Sequence, residues 1–134
     1  MTTVNINDYL QTRVKKLNID KIERHIFICA DQTKPICCNK QMSIDSWDYL
    51  KLRLKELNLE TRIFRTKANC LRVCEYGPIL VIYPDRIWYH SVTIPLIERI
   101  IQEHIIGGQV VNEFAFYRDL DTDLTEDLTP MPIS

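Results

Sequence analysis

An excess of positive charge is missing from this sequence of 134 residues: 17 Lys and Arg stand against 18 Asp and Glu, for a net charge of −1. Nucleic-acid binding rests on a basic footprint, so that class of partner is set aside. Long hydrophobic runs are missing as well. No apolar stretch approaches the roughly 18 residues that a membrane-spanning helix requires. The first residues, MTTVNINDYLQTRVKK, contain no apolar segment followed by a cleavage-like site. The expected location is therefore the cytoplasm, with no membrane partner. The C-x-x-C motif of disulfide oxidoreductases is absent too, which argues against a dithiol enzyme. What remains is ordinary for a globular chain: 46% hydrophobic, 26% charged and 9% aromatic residues. A chain of this length buries roughly two-thirds of its unfolded surface, around a single core.

Cysteine, by contrast, is plentiful, with five at positions 29, 37, 38, 70 and 74. Reducing compartments keep thiols free, so five cysteines in a cytoplasmic chain point to metal or redox chemistry rather than to a disulfide framework.

Around the cysteines, hydrophobic periodicity predicts a mixed order of helices and strands. Ile6, Leu10, Val14 and Leu17 recur at near-helical spacing over residues 5–18, with Asn5 or Asn7 as cap. The stretch 25–30, HIFICA, is a short β-prone run that delivers Cys29 to a sheet edge. A polar loop follows, DQTKPICCNKQM, with Pro35 and the adjacent pair Cys37 and Cys38. From Ser43, read as the cap, a helix carries Trp47, Leu50, Leu54 and Leu57 on one face. Residues 60–66 read as a strand that Lys67, Ala68 and Asn69 break. Residues 79–83 and 87–90, joined by Pro84, Asp85 and Arg86, form a hairpin. The last helix starts near Thr93, tolerates Pro95 in its first turn, and buries Ile97, Ile100, Ile101 and Ile105. It ends at Gly107 and Gly108, which suit a left-handed cap. Beyond it, Val110, Val111, Phe114, Phe116 and Tyr117 form an apolar stripe that needs covering, as a short strand or against a second copy. The remainder reads as an acidic, frayed tail. Asp119, Asp121 and Asp123 open like a calcium loop, yet Leu124 stands where that loop needs Gly and Pro130 where it needs Glu.

The cysteines fall into two groups separated by a helix and a strand. In a parallel βαβ unit the loops that carry them open at the same end of the sheet, so four thiolates can converge. A 2Fe-2S cluster takes four soft anionic ligands, two per iron, and tolerates irregular spacing. A closed zinc site also takes four thiolates, but its pairs are usually two to four residues apart. Eight residues separate Cys29 from Cys38, which counts against zinc, and plant-type ferredoxin spacing does not fit either. On spacing alone, Cys70 and Cys74 also fit small buried residues on a short helix. Trp47 and Trp88 read as core and hairpin packing. His25, His90 and His104 share no spacing with the cysteines and read as ordinary contacts, so a Rieske-type histidine ligand is not expected.

The pieces HIFICADQTKPICC, ANCLRVCEYGPILVIYPDRIWYH and HIIGG together resemble the thioredoxin-like 2Fe-2S ferredoxins, relatives of the small iron-sulfur subunit of NADH dehydrogenase. The resemblance runs over residues 25–111 and agrees with the β-α-β, hairpin, α order. It implies an α/β thioredoxin-like domain at 25–111; the N-terminal helical extension at 1–24 and the partly flexible C-terminal extension at 112–134, read from the residues themselves, lie outside it. It implies a single 2Fe-2S cluster on Cys29, Cys38, Cys70 and Cys74, the last two being the family's C-x3-C pair. A one-electron carrier rather than an enzyme is then expected, with redox proteins as partners and a homodimer that pairs through the sheet. Register with the family's second ligand, helped by the Ser43 cap, favours Cys38 over Cys37. A redox-sensing or regulatory module, or a structural zinc site, is the alternative. Two further expectations attach to the fold. Family members often have Gly where Arg86 stands in the hairpin turn, so either the turn type differs or Arg86 sits at an uncomfortable φ. Pro78 reads as a plain strand entry or as a cis-proline of the thioredoxin kind.

Overall fold

A computed structural model describes residues 5–30, 33, 39–73 and 75–118. The expectations for Pro35, Cys37, Cys38, Cys74 and the acidic tail at 119–134 lie outside the described residues. Alternation sets the first strand, β1 (Arg24–Cys29): Ile26 and Ile28 are fully buried on one face while His25 and Phe27 occupy the other. β2 (Ile63–Ala68) runs parallel to it, pairing from Arg24 with Ile63 to Cys29 with Ala68. β3 (Leu80–Tyr83), β4 (Ile87–Tyr89) and β5 (Ala115–Tyr117) add antiparallel, giving the order β2-β1-β3-β4-β5. The parallel pair requires a crossover, which α2 (Lys40–Glu56) supplies.

A single face of the sheet holds the core. Leu50 and Leu54 of α2 and Leu96 and Ile97 of α3 (Ile94–Arg99) pack with Ile26, Ile28, Ile63, Leu80 and Ile82. Each such side chain contributes about 1.5–3 kcal/mol on burial. Outside the core the two helices are clamped together. Arg53 donates to both oxygens of Glu98, at 2.7 and 3.0 Å, and the Tyr49 hydroxyl donates to the same carboxylate at 2.7 Å. The Arg53 hydrogen bond is the main reason the Glu98 carboxyl sits down at about 2. On the opposite face of the sheet, aromatic rings pack on one another. His25 stacks on Phe27 at 4.2 Å, Phe27 meets Tyr83 edge-on at 6.3 Å, and Trp88 meets Phe116 at 6.2 Å.

Four local expectations need correcting. α2 starts earlier, at Lys40, because Asn39 rather than Ser43 is the cap; its side chain accepts from the N–H groups of Gln41 and Met42. Ser43 is buried inside the helix and donates to the Lys40 carbonyl at 2.8 Å. β2 begins at Ile63 and runs on through Lys67 and Ala68, held by its pairing with β1. After Arg99 the last helix widens into a π segment, Ile100–Ile106, seen in the bond from Gly107 N–H to the Gln102 carbonyl. Of the two glycines, only Gly108 is left-handed (φ 72°); Gly107 is needed because a Cβ there would lie 2.8 Å from the Glu103 carbonyl oxygen.

Two alternatives left open by the sequence are decided: Arg86 takes a positive φ, 59°, and the Gly77-Pro78 bond is cis, as is Tyr83-Pro84. α1 (Ile6–Leu17) forms with Asn5 as its cap, and none of its residues is buried. Among the described residues no helix is long and apolar enough to cross a membrane.

Candidate metal centre

Cys29 is the last residue of β1 and is 1% exposed. Its own N–H donates to the Ile79 carbonyl at 3.0 Å, and the Ile79 N–H returns a bond to Cys29 Sγ at 3.1 Å. The parallel register sets Cys29 beside Ala68, and Ala30 N–H donates to the Ala68 carbonyl at 2.9 Å. Cys70 follows two residues later at the same end of the sheet. It is exposed, and its Sγ accepts the Arg72 N–H at 3.2 Å. The two cysteine loops are also joined side to side. Asn69 Oδ1 accepts from the Thr33 N–H at 3.2 Å, and Asn69 Nδ2 donates to Thr33 Oγ1 at 2.8 Å.

The backbone turns sharply at Arg72 and again at Tyr76, ahead of Ile79. Arg72 and Tyr76 both sit at positive φ, 78° and 55°, a region that costs a non-glycine residue about 1–2 kcal/mol. Bonds from Ser91 N–H to the Tyr76 carbonyl (2.7 Å) and from Val92 N–H to the Pro78 carbonyl (3.0 Å) hold it there. Backbone N–H groups aimed at sulfur are the donors that stabilise the charge of metal-bound thiolates and tune a cluster's potential. Both described sulfurs have one, so the donor chemistry fits an iron-sulfur group. Beside this segment lies an apolar hollow of about 390 Å³ lined by Val73, Glu75, Tyr76, Ile79, His90 and Phe116.

Of the four ligands expected, the structure thus brings Cys29 and Cys70 to one sheet end; Cys38 and Cys74 lie outside the described residues. Among the described residues no three of His, Cys, Asp or Glu come together. The histidines are engaged elsewhere: His25 meets Thr66 Oγ1 at 2.7 Å, His90 meets Ser91 Oγ at 2.8 Å, and His104 meets Tyr89 and Asp85. Asn69, read from sequence only as a strand breaker, is the residue sequence reasoning missed. Its one signal is its place next to Cys70.

No family model matches the sequence. The chain is similar to a 2Fe-2S ferredoxin of Clostridium pasteurianum, 30% identical over 94 residues, which are 66% of this chain and 91% of that protein. It belongs to the thioredoxin-like 2Fe-2S ferredoxin family. A 2Fe-2S ferredoxin of Aquifex aeolicus is 25% identical over 97 residues, covering 66% of this chain and 84% of the relative. In fold, the chain superposes on a thioredoxin-like 2Fe-2S ferredoxin from Aquifex aeolicus with a TM-score of 0.66 at 24% identity, over 72% of this chain and 93% of that one.

Proposed function

We propose that the chain is a cytoplasmic one-electron carrier, not an enzyme, that holds a single 2Fe-2S cluster on Cys29, Cys38, Cys70 and Cys74. The observation that supports this best is the pair of sulfurs at one sheet end, each accepting a backbone N–H, from Ile79 and from Arg72. When bound, such a cluster supplies reversible one-electron chemistry, and the protein's part is to bind it and set its potential. Here the Ile79 and Arg72 amides offset negative charge on sulfur, and the Thr33 and Asn69 pair keeps the two loops in reach of each other. Buried Cys29 keeps water from the inner side, while exposed Cys70 leaves the outer side open to a redox partner. The hollow beside Tyr76 and His90 suits the small, transient contact that electron carriers make.

The choice of Cys38 over Cys37 rests on the family's register. The Ser43 cap that supported it has been replaced by Asn39, the residue next to Cys38. A homodimer formed through the sheet is part of the same proposal. Phe116 and Tyr117 remain 45% exposed each, whereas Val111 is buried within its own chain at 1% exposure and needs no second copy to cover it. The test is chemical analysis of protein made anaerobically with iron supplied. About two irons and two acid-labile sulfides per chain are expected. A colourless protein with stoichiometric zinc would sink the proposal.

A further inference from the structure

α1 presents an apolar stripe to solvent: Ile6 is 72% exposed, Leu10 49% and Leu17 46%. A helix of twelve residues is marginal alone in water and normally owes its stability to packing of such a face. One edge of the stripe is cationic. Arg13 and Lys16 stand there, exposed, without an ion-pair partner among the described residues, while Lys15, further round, is already paired with Asp20 at 2.8 Å.

The same chain carries the complement of this face. In residues 119–134 the dipeptide Asp-Leu recurs at 119–120, 123–124 and 127–128, with five acidic residues and no basic one. A four-residue recurrence is close to the helical period, so as a helix this segment would set Leu120, Leu124 and Leu128 in one row and Asp119, Asp123 and Asp127 in the row beside it.

The two segments also leave the domain from one corner. α1 leads through a short 3-10 turn (Ile19–Lys21) into β1 at Arg24, and Arg118 is the last residue described before the acidic segment. Arg24 and Arg118 line one hollow together with Asp85 and His104, at the opposite end of β1 from Cys29. Reach is ample, since the sixteen residues after Arg118 span up to about 50 Å extended, against about 18 Å for the length of α1.

We propose that residues 119–134 dock on α1 of their own chain, with the leucine row against Ile6, Leu10 and Leu17 and the aspartate row against Arg13 and Lys16. So docked, the segment covers the exposed apolar face of α1 and leaves the proposed cluster site open to partners. Hydrogen exchange on the full chain reads this without reference to the cluster. With Leu124→Ser and Leu128→Ser together, α1 amides should exchange at least tenfold faster. The pair Arg13→Glu and Lys16→Glu should do the same, and adding Asp123→Lys and Asp127→Lys should restore protection. Zero-length carbodiimide coupling in an equal mixture of isotopically light and heavy chains should give Lys16 to Asp123 or Asp127 links within one chain. Unchanged α1 exchange in the leucine variant overturns the proposal. So do links that join light to heavy chains, which would mean a second copy, and so does protection that appears only when anionic vesicles are added.

Discussion

Where β1 begins, Asp85 takes hydrogen bonds from Arg24 and His104, and His104 in turn meets the Tyr89 hydroxyl. Where β1 stops, the Ile79 and Arg72 amides point at sulfur, and Arg72 and Tyr76 are held at positive φ. The first end is a closed polar circuit. Val111 N–H donates to the Tyr89 oxygen at 3.1 Å, so the hydroxyl hydrogen goes to His104 Nδ1 and the imidazole carries its hydrogen on Nε2, donating to Asp85 at 2.7 Å. Burial holds the His104 imidazole below its ordinary value, against the pull of Asp85. Burial raises the Asp85 carboxyl, but the hydrogen bonds from His104 and Arg24 outweigh it and leave it lowered. Burial likewise pushes Tyr89 up to about 12. The second end spends backbone strain to turn donors toward two thiol sulfurs. One end therefore stabilises the fold, and the other, on the proposed function, prepares a ligand site.

Substitutions should separate the two ends. The largest effect is expected from Cys29→Ser or Cys70→Ser, which should abolish bound iron while far-ultraviolet circular dichroism keeps its shape. Retention of a normal visible spectrum in either would break the comparison. Next is His104→Leu, which takes from the Tyr89 hydroxyl its acceptor and from Asp85 one of its two donors. Unfolding by denaturant should show a loss of about 2–3 kcal/mol, with iron content per folded chain unchanged.

A pH effect sharpens the same point. Because the folded imidazole is held below its ordinary 6.5, the unfolded chain takes up a proton that the folded chain refuses as pH drops below that value. Stability should therefore fall as the pH drops below about 6.5, and His104→Gln should flatten that fall. The smallest effect is expected from Asn69→Ala, which removes the bonds to Thr33. Global stability should change by no more than about 1 kcal/mol, whereas loss of iron to a chelator should quicken several-fold.

The order of elements was legible because its signals are local: alternation in β1, the Leu50 and Leu54 rows of α2, the turn at Pro84, and the isoleucines after Thr93. The start of α2 was not, because Ser43 and Ser46 face inward and satisfy themselves on the Lys40 and Val92 carbonyls. Counting apolar residues therefore opens the helix one turn late. The far end of β2 was hidden by Lys67, whose strand conformation comes from pairing with β1 rather than from its own preference. At the site, Cys29 could be placed at a strand end, since the strand and its terminus are contiguous in sequence. The Ile79 amide and the Asn69 and Thr33 pair could not, because those contacts join residues 50 and 36 positions apart, which only the folded sheet brings together.

The central claim is that the cysteine end holds one redox-active 2Fe-2S cluster, and an anaerobic reductive titration followed by visible absorption tests it most directly. The account predicts a coloured protein that bleaches on taking up one electron per chain, with Cys29→Ser colourless under the same conditions. Uptake of two electrons per chain, or a wild-type protein without visible absorption, would contradict it.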